Sequence, residues 1–241
     1  MKFYSSIAPF YNNIFPLNLS QVKFINDSFH DTDDLDILDV GCGVGTLIQE
    51  LDKTYTNITG IDLDSEMIEI AKKRAYLNNP KVKIGNMLEL TNQFNSQEFS
   101  IITCFGNTLV HLPFESDIHT FISQSFQLLK AGGKLLLQII NYDRIIENKV
   151  DSLPTIDNEK VNFIRAYEYL KDINKINFKT KLTIKENNQV IDNAQLLIPI
   201  RSSELVTILK EVGFKQVNVF GGFNRSLLTK ESLPLVVKAS K

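Results

Sequence analysis

The chain has 241 residues, of which 43% are apolar and 22% charged, a balance that suits one large soluble domain or a domain carrying an insertion. A formal net charge of −2 argues against a protein whose main task is to grip a nucleic-acid backbone. Two cysteines, Cys42 and Cys104, are too few for a disulfide framework and favour a reducing, cytoplasmic setting. The start, Met1-Lys2-Phe3-Tyr4-Ser5-Ser6, lacks the apolar core of a secretion signal, and no apolar run reaches the roughly 18 residues of a membrane span.

Residues 1–34 read as a helical cap. Tyr4, Ile7, Ala8, Tyr11, Ile14 and Phe15 recur at spacings of three and four, and Val22, Ile25 and Phe29 continue a stripe beyond Pro16. The acidic stretch His30-Asp31-Thr32-Asp33-Asp34 reads as a turn, with His30 at a helix end. Two roles stand for this segment, a plain cover for a sheet or a cap over a ligand site.

The stretch Asp36-Ile37-Leu38-Asp39-Val40-Gly41-Cys42-Gly43-Val44-Gly45 then organises the chain. Its first half is a buried strand, its second half alternates glycines, and a helical pattern begins at Thr46. Strand, glycine turn and helix make a nucleotide-binding corner, because glycine lets backbone approach a ligand closely. A dinucleotide fingerprint needs a further glycine where Thr46 stands, which disfavours an NAD-type dehydrogenase.

A second strand, Ile58-Thr59-Gly60-Ile61-Asp62, ends in a carboxylate 23 residues beyond Asp39, near the offset of about 20 at which such folds place a ribose-binding acid. Asp64 and Ser65 take the helix N-cap role, leaving Asp62 for the ribose. A helix with Met67, Ile68, Ala71 and Ala75 inward runs to Asn78-Asn79-Pro80. The short strand Val82-Lys83-Ile84 leads into Gly85-Asn86-Met87, and a fourth strand covers 99–105. After the loop Gly106-Asn107-Thr108-Leu109-Val110-His111 come a helix carrying Ile118, Phe121 and Ile122, the stop Gly132-Gly133, and a fifth strand at 134–140. This alternation implies a parallel α/β sheet with helices on both faces and a ligand at the strands' carboxyl ends.

Residues 150–200 break the alternation: three strands, at 161–170, 176–184 and 190–200, predict a small antiparallel insertion serving as a lid or a dimer surface. A helix over 203–212, closed by Gly213, and strands at 216–220 and 235–239 return to the main sheet. The body is therefore 35–149 plus 201–241, with the cap at 1–34 and the insertion at 150–200.

The residues just quoted resemble those of the class I S-adenosylmethionine-dependent methyltransferases. Leu38-Asp39-Val40-Gly41-Cys42-Gly43-Val44-Gly45 matches that family's principal motif, and Gly60 to Met67 is similar to its second. Gly85-Asn86-Met87 resembles the third, where Asp is more usual than Asn86; Leu129-Lys130-Ala131-Gly132-Gly133 resembles a later turn usually written with Pro in place of Ala131. Tyr4, Ala8, Tyr11 and Phe15 match an N-terminal pattern of small-molecule members, with Asn12 where Asp is usual. The loop Gly106 to Leu112 is similar to that of glycine and sarcosine N-methyltransferases.

The resemblance implies a doubly wound, mostly parallel seven-stranded sheet with a reversed last strand, S-adenosylmethionine as cofactor, and no metal. It implies cofactor contacts from Asp39, Gly41, Cys42, Gly43, Asp62, Leu63, Met67, Asn86, Met87 and Phe105, with Leu63 and Met87 flanking adenine. His111, at the cofactor edge, is a candidate general base able to titrate near neutrality or a plain hydrogen-bonding loop residue. Tyr11 and Tyr142 are candidates for the transfer site or for aromatic packing. Asn107, Arg144 and Arg225 are candidate substrate contacts, the arginines for an anionic group. The expected reaction is methyl transfer to a small molecule, N- rather than O-methylation, by a monomer or homodimer. Transfer to tRNA or another macromolecule, and a non-catalytic cofactor-binding module, are the alternatives.

Overall fold

The computed structural model describes residues 2–29 and 35–241, and the turn expected at 30–34, His30 included, lies outside the described residues. Strand β1 (Ile37–Val40) pairs in parallel with β2 (Ile58–Asp62) and β4 (Phe99–Cys104). β2 carries β3 (Lys81–Ile84) at the sheet edge, and β4 carries β5 (Leu129–Ile140). β11 (Pro234–Ser240) runs antiparallel to both β5 and β10 (Gln216–Phe220), giving the order β10-β11-β5-β4-β1-β2-β3. The sheet is thus seven-stranded and mostly parallel with a reversed last strand. Every residue of β1 and β4 is buried, as expected of central strands covered on both faces.

The helices follow their sequence signals. α5 (Ser65–Lys72) starts at Asp64, whose carboxylate accepts from Glu66 and Met67 N–H at 3.0 and 3.1 Å. α9 (Ser202–Val212) ends at Gly213 with φ of +118°, a conformation that favours glycine. α4 (Thr46–Leu51) and α7 (Glu115–Leu128) bury their apolar stripes, whereas α6 (Leu90–Gln93) is a single turn after β3. The N-terminal segment folds as α1 (Lys2–Ile7), α2 (Tyr11–Ile14) and α3 (Leu19–Asn26), broken at Pro16 as read from the sequence. Thr46, the residue that replaces a dinucleotide-binding glycine, ties this segment down: its hydroxyl donates to Asn12 Oδ1 at 2.7 Å and accepts from Arg74 Nη2 at 2.8 Å.

After α8 (Tyr142–Glu147) the chain builds a separate antiparallel sheet of four strands: β6 (Ser152–Asp157), β7 (Val161–Leu170), β8 (Lys175–Ile184) and β9 (Gln189–Leu197). Three were expected. The missing one, β6, contains Pro154, pairs only with β7, and changes register between Leu153 and Ile156. Proline is tolerated at such an edge because no ladder hydrogen bond is lost, and it hides the strand from pattern reading. β7 reaches its predicted limits, and β9 ends at Leu197 instead of 200.

The second sheet is not a detached flap. Phe163, Tyr167, Ile176, Phe178, Leu182 and Leu197 belong to the same apolar cluster as Leu38, Ile102 and Leu137 of the main sheet. Phe163 packs edge-on against Phe15 with centroids 5.9 Å apart. Ile198 N–H donates to Val110 O at 2.9 Å, and Asn193 Nδ2 to Ser6 Oγ at 2.9 Å. Cap, post-β4 loop and inserted sheet therefore meet above the carboxyl ends of the strands.

Candidate functional site

At the end of β1 the chain turns through Gly41, with φ of +76°. The N–H groups of Gly41 and Cys42 both donate to Ile61 O, at 2.8 and 3.0 Å, locking the turn to β2. A Cβ on Gly41 would come within 2.4 Å of Thr108 Cγ2, so only glycine admits the post-β4 loop this closely. Gly43 N–H donates to Asp62 Oδ2 at 2.8 Å, and Asp64 N–H to Asp62 Oδ1 at 2.9 Å. Two backbone donors thus hold the Asp62 carboxylate while leaving each oxygen a lone pair for a ligand hydroxyl. Burial raises the Asp62 pKa, against which those N–H bonds act.

Two cavities open along this edge. The first, of about 280 Å³, is lined by seven of the predicted cofactor residues: Gly41, Gly43, Asp62, Leu63, Met67, Asn86 and Met87. The second, of about 640 Å³, is lined by Asp39, Gly41, Cys42 and Phe105. Tyr4, Tyr11, Gly41 and Gly106 face both cavities and mark where they meet. Leu63 is 53% exposed, an apolar surface on the wall of the first. Asn86 Oδ1 accepts from Leu88 N–H at 3.0 Å, which orients the side chain and leaves one oxygen lone pair for a donor.

Of the remaining candidates, the structure brings Tyr11 and His111 to the cavities and leaves four away from them. Tyr142 is buried, with its hydroxyl 3.1 Å from Asn107 Nδ2. Asn107, at φ of +70°, accepts from Ile140 N–H at 2.9 Å and so pins the post-β4 loop to the end of β5. Arg225 is exposed and donates to Asp27 O at 2.6 Å, tying the last loop to the end of α3. Arg144 sits in α8 and lines neither cavity.

One of the two sequence readings of His111, a base titrating near neutrality, does not match its burial. Its Nε2 lies 2.7 Å from the Tyr4 hydroxyl, with the rings edge-to-face at 5.2 Å. Burial pushes its pKa down to about 4, because an imidazolium loses its hydration there. It is neutral at pH 7. The pH profile of kcat/KM is accordingly expected to lack a histidine inflection between pH 6 and 7; a step there that disappears in His111→Gln would contradict this.

Sequence reasoning missed several residues of the site. Tyr4 was read in an aromatic stripe and in the N-terminal pattern but was not named as a site residue, yet it faces both cavities. Thr103 donates to Asp39 Oδ1 at 2.6 Å, and Gln138 Oε1 accepts from Gly106 N–H at 2.9 Å. Both sit within strands, and nothing in a strand pattern marks a polar residue as a partner.

Asp39 is 4% exposed, and its pKa is pushed up to about 6, chiefly by burial, which outweighs the Thr103 bond that lowers it. A carboxyl held more tightly protonated in the folded state than in the unfolded chain stabilises the fold at low pH. That contribution fades as pH rises from about 4 to about 6. Above pH 6 the buried charge costs up to about 3 kcal/mol. Asp39→Asn is therefore expected to stabilise the ligand-free protein at pH 7.5, and to do so less at pH 4.5. Denaturant melts at the two pH values check it, and equal effects at both would remove the buried charge as the cause.

Among the described residues no group of His, Cys, Asp and Glu is arranged to hold a metal, and no helix is long and apolar enough to cross a membrane.

Comparison with known proteins agrees with this geometry. Residues 37–133 match a family described as "Methyltransferase domain". A protein of Geobacillus sp. (strain WCH70), named as a methyltransferase, is 33% identical over 130 residues, covering 53% of this chain and 51% of its own length. The chain thus spans about half of that relative. A ubiquinone biosynthesis O-methyltransferase of Actinobacillus pleuropneumoniae is 29% identical over 167 residues, covering 64% of this chain and 70% of its own. The crystal structure of an S-adenosylmethionine-dependent methyltransferase from Clostridium acetobutylicum superposes with a TM-score of 0.79 at 16% identity, over 98% of both chains, and shares the fold. The glycine turn, the post-β2 carboxylate and the sheet order agree with a methyltransferase domain over residues 37–133 and with the fold of that neighbour.

Proposed function

We propose that the protein transfers a methyl group from S-adenosylmethionine to a nitrogen of a small molecule. The observation that carries this is the meeting of two cavities at Gly41 and Tyr11, one holding the tethered Asp62 and the other Asp39. When bound, the cofactor supplies a methyl carbon already activated by a sulfonium. The protein's share is to bind, align and exclude water. Asp62 accepts the ribose hydroxyls, Leu63 and Met87 enclose the adenine, and Asn86 Oδ1 meets its amine. The Gly41–Gly43 turn and Asp39 receive the methionine half. The cap, with Tyr4 and Tyr11 over both cavities, keeps bulk water out.

The cover built from α1, the post-β4 loop and the second sheet supports a small acceptor over a polymer. The Actinobacillus relative is named for O-methylation, but the cavity walls favour nitrogen. Burial leaves His111 a weak base and keeps the Tyr4 and Tyr11 hydroxyls protonated, and Asp39, the stronger base on these walls, is given to the methionine half of the cofactor. An amine that has already lost its proton to water needs no such base.

The experiment is calorimetric titration with S-adenosylhomocysteine and, separately, NADH, followed by transfer of labelled methyl to a panel of amines, hydroxy compounds and tRNA. One bound S-adenosylhomocysteine and label on amines are expected. NADH binding without S-adenosylhomocysteine binding, or label on hydroxyls or tRNA alone, would overturn the reading.

A further inference from the structure

Arg74 lines neither cavity, yet it bonds to segments that wall both. It follows α5 and is half-buried. Its Nε donates to Val44 O in the glycine turn, and its Nη1 to Gln49 Oε1 at 2.8 Å. Its Nη2 donates to Thr46 Oγ1 at 2.8 Å and to Asn12 Oδ1 at 3.1 Å. One guanidinium therefore joins the turn, the first turn of α4 and helix α2 of the cap. Thr46 closes the triangle by donating to Asn12 as well. A planar fork suits this task, because its N–H directions are fixed relative to one another.

What these segments carry gives the network its consequence. Tyr11, beside Asn12, lies on the glycine turn: a Cβ on Gly43 would stand 3.5 Å from its ring. Ala8, Val44 and Met67 form a small apolar cluster with Tyr4, Tyr11 and Ile70 packed against it, so cap, turn and α5 share one interface. At the start of α5, Ser5 Oγ donates to Asp64 Oδ2 at 2.6 Å. The cap is thus fastened at both ends of the helix that follows Asp62. Ile7 and Ile14 anchor it on its other side, in the cluster shared with the second sheet. Building on the methyltransferase reading above, we propose that Arg74 is a positioning residue for the cofactor: it sets the spacing between Tyr11 and the Gly41–Gly43 turn before the ligand arrives. A wall already in place spends less ordering entropy on binding.

Calorimetric titration with S-adenosylhomocysteine and amide hydrogen exchange followed by mass spectrometry test this together on the full chain. Arg74→Ala is expected to weaken binding about tenfold and to speed exchange over residues 4–15 at least threefold, with α9 and β10 unchanged. Asn12→Ala frees the cap while the Val44 and Gln49 bonds stay. It is expected to move both readouts in the same direction, and it carries the test if Arg74→Ala does not fold. Arg74→Lys keeps the charge without the fork and is expected to bind within about threefold of Arg74→Ala. Wild-type affinity in either Arg74 variant, weaker binding with cap exchange unchanged, or exchange quickened equally along the whole chain would overturn the proposal. If S-adenosylhomocysteine does not bind the wild-type protein, the methyltransferase reading falls and takes this assignment with it. If it binds and the variants behave as wild type, only the Arg74 assignment falls.

Discussion

Asp62→Ala is expected to weaken S-adenosylhomocysteine binding about a hundredfold, roughly 3 kcal/mol, with little change in the unfolding midpoint of the ligand-free protein. The figure comes from two charge-assisted hydrogen bonds to a ribose diol, each worth about 1.5 kcal/mol. The structure adds a second reason. Asp62 Oδ2 also holds the Gly43 N–H, so removing the carboxylate loosens the glycine turn as well as deleting the acceptor. Asp62→Asn separates the two effects, because the amide oxygen can still accept from Gly43 while the charge is lost. It is expected to lie between wild type and Asp62→Ala. Unchanged affinity in a folded Asp62→Ala would remove this residue from the cofactor site.

Phe163→Ala is expected to destabilise the whole protein by about 3–5 kcal/mol, the usual cost of emptying a buried aromatic site. Phe163 is on β7 of the inserted sheet, is fully buried, and packs edge-on against Phe15 of the cap. It shares one apolar cluster with the main sheet. Equilibrium unfolding followed by two probes should show a single transition moved to lower denaturant. A sheet that merely rested on the body as an exchangeable lid would instead melt separately, leaving the main transition unmoved. The expectation of an insertion at 150–200 came from strands following one another without helices. Where those strands pack was not readable, since their buried residues alternate just as they would over solvent-backed partners of any kind.

How much of the site was legible can be judged from particular residues. Asp39, Gly41, Gly43 and Asp62 stood out because their chemistry is local: a turn that needs positive φ, and acids at strand ends. Arg144, Arg225, Asn107 and Tyr142 were chosen by residue type and position near strand ends. Type alone does not say whether a side chain faces a cavity or a neighbour. Asn107 and Tyr142 bond each other, and Arg225 bonds a carbonyl 198 positions away. Tyr4 and His111, 107 residues apart, meet only because α1 folds over the post-β4 loop.

The glycine turn, the order of the main-sheet strands, and the acids at the carboxyl edge were determined by the sequence alone, because propensity, periodicity and turn chemistry act over a few residues. Tertiary structure decided the rest. It placed the cap and second sheet over the edge, divided the predicted cofactor residues between two cavities, and buried His111 until its pKa fell to about 4. Those outcomes depend on desolvation and on contacts between residues far apart in the chain, and both exist only once the core has closed.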